Sequence, residues 1–587
     1  MRLPLNERSL LIVASHLRRK TAAKVQLFSD MRKKSTQIPV KICVFRKKAV
    51  SLQRKIINST IMLVKIYSAA PVGIDAVKVT IEVHAVPGFD FMLVGLPDNA
   101  VKESHERINA ALTINGVENL RRSFTINMAP ADIKKEGASF DLPLAVGMLA
   151  GDEKLKCKNL EHYMMVGELS LDGSLQPIRG ALPIALCARK EGFKGLILPA
   201  ANAEEAAVVE GLEVYGLNTL MDVVHFLNGA PKDELNPEDK FTPTHIDTQA
   251  LFDELAFPAD LDFADVRGQF KVRRAVEIAA AGGHNMIMVG PPGAGKSMIA
   301  KRIPSILPPL TLEEALETTK IHSIAGLTNK RKGASSTLIV ERPFRSPHHT
   351  ITDVALVGGG TNPHPGEISL AHNGVLFLDE LPEYKRSALE VMRQPLEDRH
   401  ITVARTKETV DYPASFMLVA AMNPCPCGHY GENNPAHPCT CTPGQVHRYL
   451  SKISGPLLDR IDIQCEIEAV PYEQLKDTQP GESSAVMRQR VLKARAIQNE
   501  RFKHSRLVHC NSMMNSKMVR QYCALDEECD KLLELMMNKL GLSARAYDRI
   551  LKVARTIADI DGAPDIQKKH LLEAISYRSL DRNSWAG

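Results

Sequence analysis

A chain of 587 residues, 44% hydrophobic and 24% charged, is long enough for roughly three or four domains, each with a core of its own. It holds no uncharged apolar run of the roughly 18 residues that a bilayer-spanning helix needs, which excludes functions built on such helices. The formal net charge of +6 is uneven: residues 1–61 carry 15 Lys and Arg against Glu7 and Asp30, and the remaining 526 residues sum to −7, so any nucleic-acid contact of the body has to come from a local basic surface.

In chain order, the basic leader 1–61 lacks the apolar stretch and small-residue cleavage site of a secretory signal. One reading places the true start at Met62, where Met-Leu-Val-Lys-Ile-Tyr opens like a strand; the other is a disordered basic arm that touches nucleic acid. Eleven cysteines without a secretion signal predict reduced thiols and a cytoplasmic protein. Residues 62–230 alternate β-branched runs (77–83, 91–94, 123–128, 195–198) with helical patterns such as 100–112, and so predict an α+β domain. Prolines and polar side chains predict a linker over 231–254. An α/β core is expected over 255–470, and 471–587 turns helical, with apolar residues at helix spacing over 543–559.

The core carries the chemistry. Gly290-Pro291-Pro292-Gly293-Ala294-Gly295-Lys296-Ser297 follows the apolar run 286–289 and precedes a helical pattern. Glycines let backbone N–H groups wrap a phosphate, Lys296 adds a point charge toward the β- and γ-phosphates of ATP, and Ser297 offers a hydroxyl to Mg²⁺. Val375-Leu376-Phe377-Leu378-Asp379-Glu380 reads as a buried strand that lifts two acids to the carboxyl edge of a parallel sheet, Asp379 for the Mg²⁺ shell and Glu380 to polarise the attacking water. The apolar run 416–422 ends at Asn423, which at the same edge can orient that water. Arg460, after Gly455-Pro456-Leu457-Leu458-Asp459 in an exposed-looking turn, is placed as a finger for a neighbour's nucleotide.

Together with Ser543-Ala544-Arg545-Ala546, these motifs resemble the AAA+ ATPases of the magnesium-chelatase type. Val94-Gly95-Leu96-Pro97-Asp98, Glu136-Gly137-Ala138-Ser139-Phe140-Asp141, Arg345-Ser346-Pro347-His348-His349 and Asn423-Pro424-Cys425-Pro426-Cys427-Gly428 narrow the resemblance to the YifB/ComM family, over residues 62 to about 580. The resemblance implies an α/β multidomain protein with an N-terminal domain like that of Lon protease (ribosomal S5-like), an AAA+ αβα P-loop core and a C-terminal helical lid. It further implies a homo-oligomer, a hexameric ring in which Asn423 is the first sensor, Arg460 the arginine finger, Arg545 the second sensor, and 266–269, with Gly268 and Gln269, the segment beside adenine. The activity it implies is an ATP-driven helicase that moves DNA branch points in recombination or natural transformation, on single-stranded or branched DNA. A chelatase subunit and an ATP-dependent protease or chaperone are the competing readings.

Three features are weighed separately. By the Lon resemblance, Ser139 falls at the nucleophile position, but Leu182 stands where Lon has its lysine base, and a serine without a base is inert; Lys134, Lys135 and Lys190 are the substitutes available. Cys425, Cys427, Cys439 and Cys441 bracket a segment too polar to hold itself, which predicts either a Zn²⁺ site, with His429 or His437 as alternative ligands, or four reduced thiols. The stretch from Arg342 to His349, before a strand pattern over 350–357, is either a hairpin that grips a phosphate backbone or a packed loop whose arginines pair with Asp353 or Glu367. Lys330-Arg331-Lys332 reads as a solvated turn.

Overall fold

The computed structural model describes residues 62–578 apart from 118–119, 136, 158, 232–239, 256–260, 329–337, 361–363, 405–408, 432–437, 471–480 and 506–507. The basic leader, Glu136, Lys330-Arg331-Lys332 and His437 therefore lie outside the described residues. Among the described residues no helix is long and apolar enough to cross a membrane.

Strands β1 (Met62–Val72) and β2 (Asp75–Pro87) form a long antiparallel hairpin that turns at Gly73, whose φ of 63° favours a residue without a side chain. β3 (Phe91–Val94) and β4 (Arg122–Ala129) extend the sheet on one side. β5 (Tyr163–Met165), β6 (Gly195–Pro199) and β7 (Glu213–Leu217) extend it on the other as parallel strands, in the order β3-β4-β2-β1-β5-β6-β7. The two-residue period of a strand divides the core. Met165 and Ile197 face the side packed by α1 (Ser104–Ile114) and α2 (Asp141–Gly151), whereas Met164, Leu196 and Leu198 face α3 (Ala181–Lys190). All eleven residues of α2 are buried, and a methyl group on Gly147 would come 2.7 Å from Val83 Cγ2, so the helix lies directly on the hairpin. α4 (Leu220–Asn228) closes this part behind a capping box made by Thr219 and Asp222.

The expected linker is more structured than its composition predicts. Thr244 donates its N–H to Val214 O of β7 at 2.8 Å, and α5 (Thr248–Leu255) packs Leu251 and Phe252 against Val208, Leu310 and Val340. Those two adjacent apolar side chains find a buried seam that a local reading of prolines cannot anticipate.

The second sheet is wholly parallel. Its strands are β8 (Met286–Val289), β9 (Phe344–Arg345), β10 (Val375–Leu378), β13 (Met417–Met422) and β14 (Ile463–Glu466), in the order β9-β10-β13-β8-β14. β11 (His400–Ala404) and β12 (Thr409–Pro413) make a separate hairpin. Both faces of the sheet are covered, which is why its central strands are continuous apolar runs. Met286, Met288, Phe377, Val419 and Ala421 point to a core shared with α6 (Phe270–Gly282), while Ile287, Val289, Leu376, Leu378 and Ala420 point to the opposite core. α7 (Lys296–Arg302) leaves β8 through the glycine-rich loop, and α8 (Leu312–Ile324) and α9 (Pro443–Leu450) follow in chain order.

The first of those cores continues into the C-terminal helices α10 (Ser484–Phe502), α11 (Glu527–Leu540), α12 (Ala544–Ile560) and α13 (Lys568–Ser576), through Val491, Leu533, Ile550, Ile557 and Leu571. The helical pattern expected over 543–559 is thus α12. The strand expected over 350–357 is instead a short helix, Asp353–Val357, which Thr352 caps by accepting Ala355 N–H at 3.2 Å. Its apolar run mimics a strand, but only Leu356 is buried, and the cap decides.

Candidate active site

Parallel strands send their carboxyl ends to one edge, and that edge gathers most of the predicted residues. The loop 290–295 leaves β8 there. Gly293 and Gly295 adopt φ values of 79° and 91°, and a side chain on Gly290 would strike Ile467 O at 2.3 Å, so each glycine is required by conformation or by space. Lys296 is 8% exposed and donates to Gly290 O at 2.7 Å, Pro291 O at 2.8 Å and Asn423 Oδ1 at 3.0 Å. Burial pushes its pKa down while Asp379 works in the opposite direction, as expected of a cation waiting for an anion. Ser297 Oγ donates to Asp379 Oδ2 at 2.5 Å, which joins the two expected Mg²⁺ residues directly. Asp379 Oδ1 accepts Glu380 N–H at 2.9 Å, and Glu380 sits in the left-handed region with φ of 52°.

Gly268 and Gln269 are also left-handed. Gln269 Nε2 donates to Glu468 O at 2.7 Å, one residue beyond Ile467, whose N–H binds Val289 O. The segment assigned to the adenine side therefore lies against the end of β8, beside the loop.

Arg460 and Arg545 lie at the other edge. Asn285, immediately before β8, donates its side-chain N–H to Arg460 O at 3.1 Å, and Arg460 precedes β14, whose first residue Ile463 pairs with Met286. Asp459 stands 4.0 Å from Arg545 at the start of α12. The length of β8 separates both arginines from the loop of their own chain, about 13 Å at 3.3 Å per residue. Arg460 is not in the exposed turn expected of it: it is 9% exposed, bonded to Pro456 O at 2.6 Å and paired with Glu397 at 2.8 Å. Arg545 is 64% exposed.

The sequence reading missed two partners of this site. His349 Nδ1 lies 3.1 Å from Glu380 Oε2. Its ring lies against that of His348, tilted by 35° with centroids 4.1 Å apart, and Tyr384 fixes the same segment by donating to Pro347 O at 2.6 Å. The histidine pair was visible, but its contact with Glu380 depends on β9 lying beside β10, which a single sequence does not state. Glu397, opposite Arg460, had no signal.

Both arginines are packed, Arg345 on Glu367 as the packed-loop reading expects and Arg342 on Glu314, an acid that reading did not name. Arg345 binds Glu367 through two bonds of 2.7 and 2.6 Å, while Arg342 contacts Pro308 O, Pro309 O, Asn373 O and Glu314. They fasten the sheet edge and are not presented as a phosphate grip.

The four loop cysteines come together, with all their sulfurs within 4.8 Å of one another. Cys425 to Cys427 is 3.3 Å, Cys425 to Cys439 3.8 Å and Cys427 to Cys439 3.5 Å. A tetrahedral zinc with bonds of about 2.3 Å sets sulfurs about 3.8 Å apart, so the donor set fits that ion. Gly428 N–H donates to Cys425 Sγ at 3.2 Å, and the backbone N–H groups of His429 and Thr440 hold the Cys427 thiol down at about 5. Burial pushes the Cys441 thiol up to about 12, so within the cluster Cys427 is the thiol whose ionised form the backbone favours.

At the Lon-like position, Ser139 lines a cleft of about 460 Å³ with Lys134, Glu168 and Arg179. Leu182 is wholly buried and its N–H donates to Glu205 Oε1 at 3.1 Å. The Lys135 amine is bonded to Pro130 O, and Lys190 is exposed at the end of α3.

Residues 262–475 match the family described as magnesium chelatase, subunit ChlI; residues 81–202 and 481–578 match two further regions of that subunit. The chain is 44% identical to competence protein ComM of Haemophilus influenzae over 520 residues, 88% of this chain and 97% of that protein. It is 44% identical to YifB of Escherichia coli over 519 residues, again 88% and 97%. A shorter similarity, 28% over 149 residues, reaches Lon protease 2 of Bacillus subtilis and covers 25% of each chain.

Proposed function

The chain belongs to the ComM/YifB family of magnesium-chelatase-type AAA+ proteins, and on that premise we propose that it is an ATP-driven motor, built as a ring of identical copies, that acts on single-stranded or branched DNA. The supporting observation is the division of the arginines from the phosphate loop. Lys296, Ser297, Asp379, Glu380 and Asn423 converge at one edge of the sheet, and Arg460 and Arg545 gather at the other. A nucleotide on the first edge is completed only when a second copy brings its other edge to meet it.

In this reading Lys296 leaves its carbonyl partners for the β- and γ-phosphates of ATP. Ser297 and Asp379 hold Mg²⁺, Glu380 polarises the water, and Asn423, freed from Lys296, orients it. Arg460 and Arg545 of the neighbour neutralise the charge that develops on the transferring phosphoryl group. Arg460 has to exchange Glu397 for that phosphate, which makes hydrolysis conditional on assembly. The six-fold ring and DNA as the track rest on the resemblance to the family and on the competence name of the Haemophilus relative. Residues 255–470 are the ATPase core, 471–587 its helical lid and 62–230 a Lon-like platform without peptidase activity, since Leu182 replaces the base. The four cysteines hold a structural zinc.

The test is ATP turnover with and without single-stranded or forked DNA, combined with sedimentation. We expect nucleotide-dependent assembly and turnover stimulated by DNA. A chain that stays monomeric and ignores every DNA returns the assignment to a chelatase-like or chaperone-like ATPase.

A further inference from the structure

The thiol cluster does not stand apart from the nucleotide. Gly428, three residues after Cys425 and one after Cys427, lies on the phosphate loop so closely that a methyl group in its place would come 2.6 Å from Pro292 Cδ. Its φ of 91° bends the chain back at that point. On the other side of the cluster, Asn423, two residues before Cys425, accepts the Lys296 amine. The second cysteine pair, Cys439 and Cys441, leads directly into α9, where Thr442 forms the cap. Between the two pairs run residues with almost no apolar side chains, so beyond the packing of the cysteines on the neighbouring core and the Thr440 N–H on Cys427, a bound ion is what can lock the first pair to the second.

We infer that the metal held by Cys425, Cys427, Cys439 and Cys441 sets the affinity of the phosphate loop for nucleotide: a thiophilic divalent ion, zinc by the sulfur spacing, presses Gly428 onto Pro292 and fixes Asn423 at the edge of the sheet beside the loop. The inference rests on the zinc reading of the cluster and goes beyond it, from a fold staple to a control on ATP binding. With the ion in place, the loop is held in its binding shape before ATP arrives. Without it, the segment after Asn423 is released, and ATP has to order the loop as it binds, at a cost in affinity.

The test uses the full chain. Zinc content is measured by elemental analysis, and binding of a fluorescent ATP analogue is measured before chelation, after chelation and after zinc is restored. We expect one zinc per chain, a loss of about tenfold or more in nucleotide affinity on stripping, and recovery on adding zinc back. Gly428→Val, which keeps all four ligands, is expected to retain its zinc and still lose nucleotide affinity. Protein that never holds zinc, even when zinc is supplied to the reduced chain, removes the metal reading itself. Zinc-bound protein whose ATP affinity is the same after stripping and in Gly428→Val overturns the coupling and leaves the metal reading intact.

Discussion

Glu380 and Lys296 stand at the same edge of the sheet and make different predictions. Under the proposed function Glu380 polarises the attacking water, so Glu380→Gln is expected to bind ATP as before while its turnover falls by about 10² to 10⁴, read by equilibrium binding against steady-state phosphate release. In the same reading Lys296 holds the phosphates in ground and transition states alike, so Lys296→Ala is expected to lose nucleotide binding itself in the same assay. At this scale the sequence was most legible where chemistry is contiguous: the loop 290–297, the Asp379-Glu380 pair and Asn423 all reach one edge as their spacing predicts. Partners that depend on which strands lie side by side were not legible. His349 beside Glu380, Glu397 on Arg460 and Gly428 on Pro292 are each separated from their partners by more than thirty residues of chain.

The element with the most consequence is α12. Arg549 on this helix pairs with Asp462, which also accepts from His284 Nδ1 at 3.0 Å, and His284 Nε2 lies 2.8 Å from Thr556 two turns further along. Burial alone would raise the pKa of Asp462, yet Arg549 and His284 together hold it well below the carboxylate range. The group is therefore depressed in the folded state. Its contribution is complete above the unfolded value of about 3.9 and is lost as pH falls below it, so acid is expected to loosen α12 from β14. Removing one partner of a buried pair costs about 3 kcal/mol, and Arg549→Met is expected to lower the melting temperature at pH 7, with the difference from the parent shrinking toward pH 3. Calorimetry across that range checks both parts. Elements were legible where hydrophobic period and length agreed, as in β8, β10, β13 and α12. They were misread where a single cap outweighed an apolar run, at 353–357, and where two side chains found a distant seam, at Leu251 and Phe252.

For the whole molecule, the division of the arginines from the phosphate loop makes a prediction that no single chain can satisfy. Arg460→Ala keeps an intact phosphate loop and Lys296→Ala keeps an intact finger, so each is expected to be inactive alone. Mixed, they are expected to regain part of the parent turnover, because some junctions then pair a good loop with a good finger. A mixture as silent as its components places Arg460 outside the shared site. The order of the two sheets was not written in the sequence at all, since it depends on crossovers; the composition of each segment gave the class of each layer but not its neighbours.

Glu205 has a mechanical meaning. It belongs to the N-terminal sheet's side of the molecule, and its oxygens accept from the Leu182 N–H, from the Ser323 hydroxyl on α8 and from Thr328 Oγ1 at 3.1 Å. It is 4% exposed. Swinging the N-terminal sheet away from the nucleotide-binding sheet would break both hydroxyl bonds to Glu205 and open a buried seam, so this contact ties the two parts together. Under the proposed function, a movement of the nucleotide-binding sheet is passed on to the N-terminal sheet through this contact and is not absorbed at a joint between them.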